Sequence, residues 1–206
     1  MDEVILARHG ESELSVVGTV NGDPAVACAL TPVGEAQADR LGELLADAEI
    51  DLCVTSEFER ARQTADLALA ERDIPRLVLP ELNDVRFGGF EGKSLAEYRA
   101  WAAENVPTAE APGGGESRSE TVARYVRAYQ TLLGRPEETI LVVAHGLPVR
   151  YVLNALAQTD PAPLVEQVQY AEPFFLTRDE LQRATARLER WAASPAWGSE
   201  TPSGGF

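Results

Sequence analysis

The 206-residue chain has two histidines, and each ends an apolar run and precedes a glycine. His9 closes "VILARHG" (4–10) and His145 closes "TILVVAHG" (139–146). A histidine at a strand end can move protons, ligate a metal or attack an electrophile. The glycine after it lets the chain turn sharply and lets a ligand come close. The neighbours narrow the choice. Arg8 stands directly before His9, a permanent cation that repels a dication, and catalytic zinc takes more protein ligands than two histidines supply. The chain has no G-x-S-x-G elbow for a serine nucleophile, no Walker loop and no G-x-G-x-x-G fingerprint. A guanidinium beside a histidine instead suits an anion, because its forked donors match phosphate oxygens.

The elements that must position these groups alternate along the chain. "VILA" (4–7) is a continuous apolar run, as in a strand covered on both faces. "TPVGEAQADRLGELLAD" opens a helix with Thr31 as N-cap and Pro32 at the first helical position. "DLCVTS" (51–56) and "RLVL" (76–79) read as strands and "ERARQTADLALAERD" as the helix between them. Helices are expected around 94–104 and 119–134, then the strand ending at His145, then the helix "LPVRYVLNALA". "TRDELQRATARLERWAA" begins with a capping box, Thr177 with Glu180. This rhythm predicts a three-layer α/β/α sandwich with a mostly parallel central sheet, in which ligands bind beyond the carboxyl ends of the strands. The length allows one domain, expected over residues 1–193, with 194–206 as a flexible tail.

Composition is that of an ordinary globule, 45% hydrophobic and 25% charged, with no apolar run long enough to span a bilayer. The amino terminus is acidic and enters a strand at once, which reads as no signal peptide and points to the cytoplasm. A net charge of -15 argues against nucleic-acid and membrane partners. An anionic substrate must therefore meet a local cluster of arginines inside an acidic shell. Cys28 and Cys53 lack metal-ligand spacing, and Cys53 reads as a buried thiol.

Five blocks, "ARHGES" (7–12), "SEFERARQTA" (56–65), "FGGFEG" (87–92), "GGGES" (113–117) and "VVAHG" (142–146), occur in an order that resembles the histidine phosphatase superfamily, the phosphoglycerate-mutase-like group. The resemblance covers roughly residues 3–157 and implies a phosphohistidine mechanism needing no metal or other cofactor. It makes His9 the nucleophile and His145 the second catalytic histidine, donating to the phosphoryl group. It makes Arg8 and Arg60 phosphate ligands, joined by Ser15 and by Gly146, where the backbone comes close. The partner it implies is a small phosphorylated metabolite. Arg62, two residues past Arg60, reads as a surface residue. "GGGES" resembles a phosphate loop only in composition; it follows no strand and reads mainly as a flexible loop.

Two positions depart from the family's pattern. The residue aligned with its usual glutamate proton donor is Asp84, one methylene shorter, with Glu81 the other carboxylate nearby. Ser15 stands where the family often has asparagine, and Leu14 where it often has tryptophan. Glu91 reads as support for its own loop. A phosphatase is the leading expectation. Mutases of the family carry a longer, basic segment after "FG-x-x-EG", whereas residues 93–117 are short and acidic. A non-catalytic phosphate-binding module is the alternative of another class.

Overall fold

The computed structural model describes residues 1–70 and 72–197. Five strands form one sheet in the order β3-β2-β4-β1-β5. They are β1 (Glu3–Arg8), β2 (Leu52–Thr55), β3 (Arg76–Val78), β4 (Thr139–Ala144) and β5 (Pro173–Thr177). β1, β2, β3 and β4 pair in parallel, and β5 runs antiparallel along the free edge of β1. Sequence reading did not anticipate β5: its burial is patchy and Phe175 faces solvent, so it lacks the apolar run that marked the others.

Alternation along the strands divides the core in two, as a pleated sheet requires. Val4, Leu6, Leu52, Val54, Ile140 and Val142 face a layer containing α5 (Arg118–Leu133), α6 (Gly146–Leu156) and α7 (Arg178–Ala193). Ile5, Ala7, Cys53, Leu141 and Val143 face the other side, packed by α2 (Pro32–Leu44) and α3 (Glu59–Ala68). The architecture is thus the predicted α/β/α sandwich. Thr31 caps α2 by accepting from Gly34 N at 3.1 Å, and Thr177 and Glu180 form the capping box of α7. Both cysteines are free, and burial pushes the Cys53 thiol up to about 12. No helix among the described residues is long and apolar enough to cross a membrane.

A third apolar cluster, with Val20, Val85, Phe87 and Tyr98, lies under α4 (Leu95–Glu104). It is closed by the segment whose sequence reads as a flexible loop. Gly88, at φ +57°, meets the 111–115 stretch so closely that an added Cβ would sit 2.4 Å from Gly115 N. Glu116 and Ser117 behind it are almost fully buried. The loop is therefore clamped, because its glycines allow two backbones to touch.

Residues 194–197 also depart from the expected tail. Trp197 packs beside Trp191 with ring centroids 5.9 Å apart, and its indole N–H donates to Asn105 O at 2.7 Å. The remainder of that tail, 198–206, lies outside the described residues. Trp197→Ala is expected to lower stability by about 1–3 kcal/mol in urea or thermal unfolding. An unchanged midpoint would show that the indole contributes nothing.

Candidate active site

Register brings the two histidines together. β1 and β4 pair so that Arg8 lies opposite Ala144, and His9 N donates to Ala144 O at 2.9 Å. The next residue on each strand is a histidine, and the two rings meet edge to face with centroids 5.3 Å apart. Gly10 has to be glycine here, since a Cβ would lie 2.5 Å from Gly34 O in α2. Gly10 N donates to Thr64 Oγ1, which donates to Arg60 O, so the same turn fixes α3 beside His9.

Bonding partners define the state of each ring. His9 Nδ1 lies 2.6 Å from Gly10 O, an acceptor, so Nδ1 carries the hydrogen. The Nε2 lone pair is then directed at Arg60, whose Nε donates to it at 3.2 Å. His145 Nδ1 accepts from Arg60 Nη2 at 3.3 Å, so its Nε2–H donates to Ser56 Oγ at 2.9 Å. Burial, then the charges of Arg60 and Arg8, holds His9 well below the ordinary histidine value. Burial, then Arg60 and the neighbouring His9, does the same to His145. Both rings are neutral near pH 7.

The surrounding cations are only partly engaged. Arg60 is almost fully buried above the Phe58 ring, and its contacts to Asn21 O, Asp84 Oδ2, His9 and His145 are all 3.2–3.4 Å. Such lengths exceed the usual charge-assisted bond. Arg8 lies flat on Tyr170, 3.8 Å from its centroid, and Nη1 donates to Val168 O at 2.8 Å. Arg8 Nε and Asn21 Nδ2 are buried donors without a hydrogen-bond partner in the protein, and both residues line one cavity of about 210 Å³. Buried donors are rarely left unpaired, so two on residues that line a shared cavity mark the place of an acceptor-rich ligand. The volume leaves room well beyond one phosphate group.

Asp84 reaches this cavity; Glu81 does not line it. Asp84 Oδ2 sits 3.4 Å from Arg60 Nη2 and 3.6 Å from His145 Nδ1. Behind it, Arg124 donates to the carbonyls of Glu81, Asn83 and Asp84 at 2.9, 2.7 and 3.0 Å. Arg124 is itself clasped by both oxygens of buried Glu116, each at 2.8 Å. A buried bidentate ion pair thus holds the backbone that carries Asp84. Glu91 accepts from Gly22 N and Phe87 N, and Gly146 opens α6 against the side chain of Arg8. Arg62 is exposed.

Ser15 lines the cavity, but its hydroxyl serves the short helix α1 (Glu13–Val16), donating to Ser12 O at 2.9 Å and accepting from Ser12 N. Asn21 offers the amide donor in its place. Sequence reading missed Asn21 because Asn-Gly reads first as a turn. It missed Tyr170 because no pattern precedes that residue, whereas Ser56, at the end of β2, follows the strand-end rule that picked out the histidines. Among the described residues no group of three or more His, Cys, Asp or Glu could hold a metal ion.

The profile of the histidine phosphatase superfamily (branch 1) matches residues 4–194. An adenosylcobalamin/alpha-ribazole phosphatase from Salmonella typhimurium is 36% identical over 152 residues, 68% of this chain and 72% of that protein. A 2,3-bisphosphoglycerate-dependent phosphoglycerate mutase from Brucella melitensis is 33% identical over 181 residues, 80% and 85% of the two chains. A solved structure described as a putative alpha-ribazole-5'-P phosphatase from Escherichia coli superposes with TM-score 0.74 at 28% identity, covering 85% of this chain and 90% of that one.

With two histidines in the chain, NMR can follow both rings directly. Neither ring in the folded protein should take up a proton as pH falls through about 6.5, the ordinary histidine value. The unfolded chain does bind protons there, so stability should decline as pH drops below that point. A ring titrating near 6.5 would contradict the buried cluster. Arg124→Met, which strands Glu116, should cost about 3–5 kcal/mol in urea unfolding; a near-neutral result would mean that the pair does not brace the Asp84 segment.

Proposed function

The chain belongs to the histidine phosphatase superfamily, and from that premise we propose that it is a metal-independent phosphomonoesterase working through a phosphohistidine on His9. The observation that carries this is the fixed tautomer of His9. With Nδ1–H tied to Gly10 O, the Nε2 lone pair is presented to a cavity lined by Arg8 and Arg60, with His145 buried directly behind Arg60. A neutral imidazole hemmed in by cations can attack an anionic ester without first having to lose a proton.

His9 Nε2 forms the bond to phosphorus as the ester oxygen departs on the opposite side. Arg8, Arg60 and Asn21 bind the phosphoryl oxygens, with the Gly146 backbone at the α6 N-terminus close by. Arg60 gives up its long contacts to His9 and His145 for shorter ones to oxygen. Negative charge beside His145 favours its protonation, so Nδ1 can donate to the phosphoryl group as charge develops. Asp84 hands a proton to the leaving oxygen. In the second step Asp84 takes a proton from water as that water displaces His9 and releases phosphate. Ser15 holds the entrance loop rather than the phosphate.

The substrate is a small phosphorylated metabolite. Alpha-ribazole phosphate is one candidate, from the name of the Salmonella relative. A mutase is less favoured, because residues 93–117 form a short clamped segment without the longer basic stretch.

His9→Ala should lose about 10⁴-fold or more of turnover with an unchanged melting curve. Labelled substrate should leave acid-labile, base-stable phosphate on the wild type alone. Full activity in His9→Ala would end the phosphohistidine reading. Activity should survive EDTA and be inhibited by orthovanadate; loss in EDTA with rescue by a divalent ion would point to a metal enzyme.

Asp84→Asn should lose about 10²–10⁴-fold on an alkyl phosphate and far less on a nitrophenyl phosphate, whose phenolate leaves without a proton. Leaving-group dependence in Glu81→Gln alone would move the role to Glu81.

A further inference from the structure

A second pair of arginines lines the same cavity on residues that no step above uses. Arg118 is 7% exposed, and its guanidinium meets two phenols: Nη1 donates to Tyr151 Oη at 2.8 Å and Nη2 to Tyr98 Oη at 3.4 Å. Arg99 extends from α4 beside it and donates to Val165 O at 3.3 Å. Among the described residues no carboxylate lies within 4.0 Å of either one. The two carboxylates lining the cavity are committed elsewhere, Asp84 to Arg60 and Glu166 to Arg150.

Three costs coincide at Arg118. A charge is buried with neutral partners only, a like charge stands next to it, and it occupies the first position of α5, where the helix dipole is positive. Burial, and then the Arg118 charge, holds the Arg99 guanidinium below its ordinary value. Arg60 instead contacts His9, His145 and Asp84, and Arg8 contacts Gln167 and Val168, so the two pairs of cations lining the cavity share no partner. Val85, Phe87, Leu95, Tyr98 and Leu147 line the same cavity with apolar surface. One pair handles the phosphoryl group. A bound anion would relieve all three costs at the other.

We propose that Arg99 and Arg118 form a second anion subsite, which selects phosphate esters whose organic part carries a carboxylate or a second phosphate. This rests on the phosphatase reading, and it refines the view of residues 93–117 as merely acidic: charge counted along that segment differs from charge facing the cavity. The acidic side chains lie outside, and Arg99 reaches in.

The test compares matched three-carbon esters, phosphoglycerate against glycerol phosphate, with glycerol bisphosphate as the second-phosphate arm and nitrophenyl phosphate as the reference. In the wild type, kcat/KM for at least one doubly anionic ester should exceed that for glycerol phosphate by about ten- to a hundredfold, the range of a charge-assisted hydrogen bond. Whichever arm shows the preference identifies the anion. In Arg99→Gln and Arg118→Gln that ratio should fall toward one. Arg99 is only half-buried, so its variant remains informative if Arg118→Gln does not fold. No preference in the wild type, or a preference that survives Arg99→Gln, overturns the subsite. If even nitrophenyl phosphate is not hydrolysed, the phosphatase reading falls. The subsite is then judged by calorimetric binding of the same esters, with tighter binding of a doubly anionic ester that is lost in Arg99→Gln supporting it and equal affinities overturning it.

Discussion

The parallel pairing of β1 with β4 is the constraint on which the site depends. Arg8 opposite Ala144 sets His9 beside His145, and slipping the register by one residue would send one ring to the other face of the sheet. Eight buried apolar side chains hold that register, Val4 to Ala7 on β1 and Ile140 to Val143 on β4. The hydrophobic core and the candidate chemistry therefore share one cause.

Around that pair the protein concentrates positive charge while the chain as a whole carries -15. Arg8 rests on Tyr170 and Arg60 on Phe58, aromatic faces that tolerate a guanidinium without neutralising it. Burial first, and then the cations, keep both histidines unprotonated, so the groups that attract an anion also help preserve the lone pair of His9. The acidic exterior then leaves the cavity as a local attractor for anions.

The third element is the brace behind Asp84. Its carboxylate faces the cavity because Arg124 gathers the carbonyls of Glu81, Asn83 and Asp84 and Glu116 anchors Arg124. Glu116 stays buried because the glycines of 113–115 let its loop press against residues 86–89. A stretch that reads as flexible because no strand precedes it is thus the support of the proposed proton donor. Flexibility in an isolated segment says little once two backbones can touch.

Sequence alone determined the layer architecture, because buried parallel strands must be apolar throughout and their helices must be capped where Thr31 and Thr177 stand. It also singled out the two histidines and Arg8, because strand ends are local properties, and it singled out Arg60 through the resemblance of its block to the family. Tertiary structure decided what depends on chain segments meeting at a distance. The edge strand β5 brings Ala171 against Arg8 O and Tyr170 over its guanidinium, across more than 160 residues. The loss of Ser15's hydroxyl to Ser12, the orphaned donor of Asn21 and the pairing of Arg99 with Arg118 belong to the same class. A linear pattern records residue type and spacing. Which donors are left without a partner is known only after every other group has found one.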